Sequence, residues 1–267
     1  MDSLVSAANS TTSSLNFKPG DADFIGYTIA LDARDAANGS SSLGFTIATA
    51  VGMTQYFYAV HLTLRDKKSP FPLWMHLFYL AHDSSFAYHF ACEARKYNYH
   101  SYVMSKVIGL IVWTLLEVYC IHRTLTVEHE GLFSPRHNPR QLRRALVLNT
   151  FLLLVFYTIV NVPIYLIGPE AWLYWTMLTN VVMAIGPGPY WLQRGCRTGT
   201  SRVLAGVNVI GTLCTFWPYS MWVHDLPSVF DSPIFYWAGV PVTLAAGYNF
   251  YVLTTLPATI EGAVKKE

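Results

Sequence analysis

Charge is what this sequence has least of. Asp, Glu, Lys and Arg make up 13% of its 267 residues, against 52% hydrophobic and 15% aromatic. An ordinary soluble domain carries about 25% charged residues. The formal net charge of +2 is too small to suggest nucleic acid, and none is expected as a partner. The four cysteines, Cys92, Cys120, Cys196 and Cys214, form no CxxC pair; neither a zinc site nor a redox dithiol is indicated, and they read as packed thiols. Residues 1–42 contain no apolar run of the kind a cleavable signal peptide needs. There is no DRY-type triplet after the third apolar run and no NPxxY in the last, which argues against a seven-helix receptor. The last run also has no lysine for a retinal Schiff base.

What is present is a series of long apolar runs separated by short polar clusters, the pattern of an all-α polytopic membrane protein. Seven helices are expected, over 43–64, 71–91, 103–122, 145–167, 171–192, 203–223 and 233–256. Each is close to the ~20 residues that cross ~30 Å of hydrocarbon at 1.5 Å per residue. They form one membrane domain, 43–256. It is preceded by a polar leader, 1–42, rich in Ser, Ala, Asn and Gly and expected to be disordered, in which FIGYTIAL (24–31) reads as a short interfacial helix. A short tail, 257–267, follows. Lys and Arg crowd the loops after the first, third and fifth helices and the tail: Arg65, Lys67, Lys68; Arg123, Arg136, Arg140, Arg143, Arg144; Arg194, Arg197, Arg202; Lys265, Lys266. The other side holds Lys18, Arg34, Arg95 and Lys96. The positive-inside rule then places the N-terminus in the lumen and the C-terminus in the cytosol. The sequons Asn9-Ser-Thr and Asn38-Gly-Ser suit a lumenal, glycosylated leader, and the endoplasmic reticulum is the expected membrane.

Two carboxyl groups fall well inside predicted spans, Asp83 in the second and Glu117 in the third. A carboxylate at mid-membrane costs ~2.5–3.5 kcal/mol even on a mild scale, so such a group is paired, protonated or functional. His76 and Asp83 are seven residues apart and share a helical face; Ser84 is adjacent, and His82 and His89 make a second pair rotated by ~100°. The other spans add neutral polar groups: Gln55, Asn161, Asn180, Asn208 and Asn249, either interhelical glue or the lining of a polar spot. Trp113, Phe216 and Tyr248 lie deeper than the aromatic belts at the span ends, and aromatic faces stabilise cations. Pro163, Pro187, Pro189, Pro218 and Pro241 interrupt the spans, and the GPGP of IGPGPYW (185–191) could shape a cavity mouth. The expected catalytic set is Asp83, Glu117 and His76. The expected substrate-binding set is Trp113, Asn161, Asn180, Phe216, Tyr248 and Asn249.

Two segments carry a family likeness. GMTQYFYAVHLTLRDKKSPFPLWMHLFYLAHDSS (52–85) is a span, a short basic loop and an acid-bearing span. DSPIFYWAGVPVTLAAGYNFYVL (231–253) is a last span opened by an Asx-Ser-Pro turn. In this order of features the chain resembles the fungal integral-membrane terpene cyclases of meroterpenoid and indole-diterpene pathways. The resemblance implies a seven-helix fold and an acid in the second span that protonates the epoxide or alkene of a farnesyl or geranylgeranyl substrate, after which alkenes close rings on the cation. It implies no metal and no cofactor, since protonation replaces diphosphate loss; the chain accordingly lacks a DDxxD cluster. Two positions depart from the family. Its acid is usually Glu preceded by Trp, where this chain has Asp83 preceded by His82. Its last span carries an Asp, where this chain has Ala246. The resemblance makes Asp83 the acid, with His76 and Ser84 orienting it; a two-acid mechanism would need Glu117 as second acid or base, and the departures leave room for a branch such as the cyclases of ascochlorin-like farnesylated phenols. The rival expectation is a proton-coupled transporter of a small lipophilic molecule, in which Asp83, Glu117 and the histidines relay protons; no internal repeat of the transporter kind is visible.

Overall fold

The computed structural model describes residues 23–37, 43–127 and 139–258, and among them every regular element is a helix. In chain order they are α1 (Phe24–Ala37), α2 (Leu43–Asp66), α3 (Leu73–Lys96), α4 (Ser101–Val127), α5 (Pro139–Ile167), α6 (Ala171–Ile185), α7 (Pro187–Arg194), α8 (Arg202–Thr215), α9 (Met221–Asp225), α10 (Pro227–Phe230) and α11 (Pro233–Thr255). A single 3-10 turn, Gly168–Glu170, joins α5 to α6. The sequons at Asn9 and Asn38, the middle of the basic 123–144 segment, and Lys265 and Lys266 lie outside the described residues.

The helix ends follow local chemistry. Ser201, Ser220 and Ser232 each accept a hydrogen bond from the backbone N–H three residues on, capping α8, α9 and α11. Pro233 stands in the first turn of α11, where its missing N–H costs nothing. Between α3 and α4 the chain reverses through Asn98 and Tyr99, both at positive φ.

Three predicted segments end differently. The segment expected over 171–192 is two helices, because Gly186 and Pro187 break it. The segment expected over 203–223 stops at Thr215; a turn through Trp217, Pro218 and Tyr219 leads into the short α9. The helix read over 24–31 runs on to Ala37, with Phe24 and Ile25 in the main core and Leu31 buried.

α3 is the central element. It packs along α4 and also meets α5 and α6, and it buries residues on all sides. α2 and α11 both pack against α8. The main core runs from Phe24 and Leu62 through Met75, Phe78 and Phe86 to Trp172, Trp222 and Phe230. Trp191, Ala205 and Leu253 form a smaller cluster. The four cysteines are free thiols.

Among the described residues two stretches are long and apolar enough to cross a membrane, Ser101–Thr126 and Arg143–Arg194, the second spanning α5, α6 and α7. Much of their apolar surface faces outward: Leu115 on α4, and Leu148, Phe151, Leu154 and Leu166 on α5, are exposed. α3 fails the same test because it concentrates the histidines and acids.

Candidate functional site

A cavity of about 110 Å³ opens beside the middle of α3. Its walls come from Phe45, Thr49, Gln55 and Tyr56 on α2, Tyr79, His82 and Asp83 on α3, and Trp113 on α4. Trp172, Thr176, Thr179 and Asn180 on α6, with Met221 and Trp222 on α9, complete them. Six of the lining residues, Phe45, Tyr56, Tyr79, Trp113, Trp172 and Trp222, are aromatic. Tyr56 stacks on Trp113 at 6.2 Å between ring centres, and His82 stacks on Trp172 at 5.8 Å. A void of about 150 Å³ in an apolar core holds a benzene, so this one, at about 110 Å³, takes a group of no more than about five carbons and not a whole prenyl chain.

Asp83 is only 3% exposed. Its Oδ1 meets Nδ1 of the adjacent His82 at 2.8 Å. Its Oδ2 has no hydrogen-bond partner, and neither does His82 Nε2. The indole Nε1 atoms of Trp113 and Trp172 are unpartnered as well. All four groups belong to residues lining the same cavity. Buried polar atoms are normally satisfied; here four unmet ones belong to residues of one small cavity wall, the expected signature of a site that completes its hydrogen bonds with a ligand or water.

Glu117 does not line this cavity. Its Oε2 lies 2.6 Å from His76 Nδ1, and His76 Nε2 lies 2.9 Å from Ser69 Oγ. The order Ser, His, Glu is that of a hydrolase triad. Ser69, however, is 0% exposed, and its Oγ accepts the backbone N–H of Phe71; a hydroxyl so placed cannot reach a substrate. The expectation that His76 and Ser84 orient Asp83 is therefore corrected. Seven residues along a helix are about 10 Å of rise, which separates His76 from Asp83. Ser84 instead donates to Leu80 O at 2.6 Å and meets Tyr157 Oη at 2.8 Å. The expectation that Glu117 faces substrate is corrected likewise. Tyr56, absent from the sequence-derived set, adjoins both the Asp83 and the Glu117 carboxyls without closing a hydrogen bond on Asp83 Oδ2.

Of the six residues expected to bind substrate, Trp113 and Asn180 line the cavity. Asn161 does not: it clamps α5 to α3 by donating to Ser85 Oγ at 2.8 Å. Asn249 donates to Ala184 O at 2.7 Å and ties α11 to α6. Phe216 packs on Phe235 at 5.0 Å, and Tyr248 is 58% exposed on the outer surface. Sequence reasoning missed His82, Tyr56, Tyr79 and Trp172. The signal for His82 was its adjacency to Asp83. The others are aromatic residues among many, and only packing selects them.

Lys106 braces the same walls. Its Nζ sits 5.0 Å from the Phe45 ring and 5.9 Å from Trp172, both cavity-lining, and 4.6 Å from Tyr102. Cation–π contact of this kind is worth roughly 0.5–2 kcal/mol.

Comparison with protein-family models, with characterised proteins and with solved structures gives no match to this chain. The functional reading rests on the site itself.

Proposed function

We propose that this chain is an integral-membrane terpene cyclase that starts carbocation cyclisation by protonating an epoxidised prenyl substrate. The observation that carries the reading is Asp83 Oδ2, a buried carboxyl oxygen with no partner, on a residue that lines a cavity partly walled by aromatic rings. A protonated carboxyl in such a chamber delivers its proton to the epoxide oxygen. The carbon–oxygen bond then opens, and an internal alkene attacks the carbon left electron-poor. The faces of Tyr56, Tyr79, Trp113 and Trp172 hold positive charge as it moves along the chain. A final C–H proton leaves as an alkene forms, so product and substrate are isomers. The cavity volume suits the terminal epoxyprenyl unit, with the rest of the farnesyl or geranylgeranyl chain and its head group extending toward the mouth.

In this reading the seven expected segments form a transmembrane bundle, with the N-terminus in the lumen of the endoplasmic reticulum and the tail in the cytosol. The outward apolar faces of α4 and α5 support contact with lipid. The test uses microsomes containing the full chain, fed an epoxyfarnesyl phenol, with products read by mass spectrometry and NMR. A cyclised isomer of unchanged mass, absent with Asp83→Asn at equal membrane abundance, is expected. Full turnover by Asp83→Asn sinks the assignment.

A second reading draws on a different observation. Ser69, His76, Glu117, Tyr56 and Asp83 succeed one another from the loop before α3 to the cavity. A row of this kind suits a proton-coupled transporter of small lipophilic molecules. Proton flux into vesicles driven by such a molecule, with no isomer formed, would favour it.

A further inference from the structure

The proposed cyclisation needs a base as well as an acid, and the geometry points to His82. We propose that His82 Nε2 removes the final proton, making His82 and Asp83 one acid–base unit. This rests on the reading of Asp83 as proton donor. It departs from the expected two-carboxyl scheme, because Glu117 is bonded to His76 and lies off the cavity.

The argument is one of proton inventory. His82 Nδ1 faces Asp83 Oδ1 at 2.8 Å. When the neutral imidazole donates its one N–H there, Nε2 keeps its lone pair. Nε2 and Oδ2 are the two outer atoms of the pair; both are buried, both lack protein partners, and both residues line the cavity. The imidazole is fixed by its ring contacts, with Trp172 stacked at 5.8 Å and Phe86 at 4.9 Å. A base must be positioned by a third group to be effective, and here Asp83 positions it.

The cycle balances. The Oδ2–H bond of Asp83 breaks as the epoxide oxygen takes the proton and the ring C–O bond opens. Alkene electrons form the new carbon–carbon bond. The last cation loses a C–H proton to Nε2, and the C–H electron pair becomes the product alkene. The substrate has thus carried one proton from Oδ2 to Nε2, leaving carboxylate beside imidazolium, an ion pair already in contact. Water entering as product leaves returns the proton from Nε2 to Oδ2. No oxidant, reductant or metal enters the balance.

The test separates this proposal from the reading beneath it. Full-length wild type, Asp83→Asn, His82→Asn and His82→Ala are compared in microsomes with epoxyfarnesyl phenol. Asn at position 82 can still donate to Asp83 Oδ1 from the place of Nδ1, but it has nothing at the place of Nε2. The expected result with His82→Asn is continued substrate consumption, with the wild-type product reduced about 100-fold in favour of water-captured alcohols. Added imidazole should restore the wild-type product in His82→Ala. An unchanged rate and product profile in His82→Asn overturns the base assignment and leaves Asp83 as the acid. So does a loss of consumption as complete as that of Asp83→Asn, with no imidazole rescue of His82→Ala; His82 would then only support the acid. No conversion by wild type overturns both.

Discussion

His76 Nδ1 lies 2.6 Å from Glu117 Oε2, joining α3 to α4 through two side chains that are almost wholly buried. Ser69 Oγ completes the row on the other ring nitrogen. The pair holds helices together and does not touch the cavity, so its loss should appear as instability. Glu117→Leu strands a buried ring nitrogen, at about 1–3 kcal/mol. The expected outcome is a lower melting temperature and a smaller monodisperse fraction in detergent, with turnover falling in proportion to folded protein. A well-folded Glu117→Leu protein with no turnover would return Glu117 to the chemistry.

Tyr56→Phe removes only a hydroxyl, one that adjoins both carboxyls. The ring that stacks on Trp113 stays. In a cyclase the loss of one such polar contact, about 0.5–1.5 kcal/mol, should slow turnover by a few-fold with the product unchanged. In a transporter whose protons pass from Glu117 to Asp83, the same variant should abolish coupled flux. Measured side by side in microsomes and sealed vesicles, this variant separates the two readings.

The helical fold was legible because long apolar runs between polar clusters are a local signal: six of the seven expected long segments begin within a few residues of an observed helix, α2, α3, α4, α6, α8 and α11. The start of α5 at Pro139 lies further from the expected 145, since the polar Arg143 and Arg144 continue its first turns. Of the site, Asp83, Trp113 and Asn180 were legible, as polar or aromatic groups deep in apolar runs. What pairs with each of them was not. Shared helical face made His76 a partner for Asp83, whereas contact is set by rise as well as angle, and the nearest imidazole was next along the chain. Tyr56 and Trp172 come from other helices, and no single-segment pattern shows which faces meet.

Gly188 illustrates a contact that composition alone cannot show. A Cβ there would collide with the side-chain amide of Asn249, whose Nδ2 donates to Ala184 O. The GPGP segment thus lets α7 and α11 approach, and Asn249 stitches the junction. Gly188→Ala must displace Asn249 and break that bond, an overpacking of about 1–3 kcal/mol. The expected outcome is reduced thermal stability, partly relieved in the double variant Gly188→Ala, Asn249→Ala. Additive losses in the double variant would mean that the two positions do not share this contact.

His224 ties α1 to α9 and responds to pH. Its Nδ1 meets Asp225 Oδ1 at 2.9 Å and its Nε2 meets Asp35 Oδ2 at 2.8 Å. The hydrogen bond with Asp225 raises its pKa above the ordinary 6.5; partial burial and the nearby Arg34 oppose this, while the charges of Asp225 and Asp35 add to it. A pKa raised by folding stabilises the structure fully below the unfolded value. That contribution is lost as pH rises through the folded value. The imidazole is partly exposed, so solvent screening keeps the effect modest. Amide exchange of α1 should therefore be slower at about pH 5.5 than at about pH 8, beyond the intrinsic base catalysis of exchange. In His224→Gln that excess difference should vanish. If α1 protection is the same function of pH in both proteins, the tether does not depend on the imidazolium.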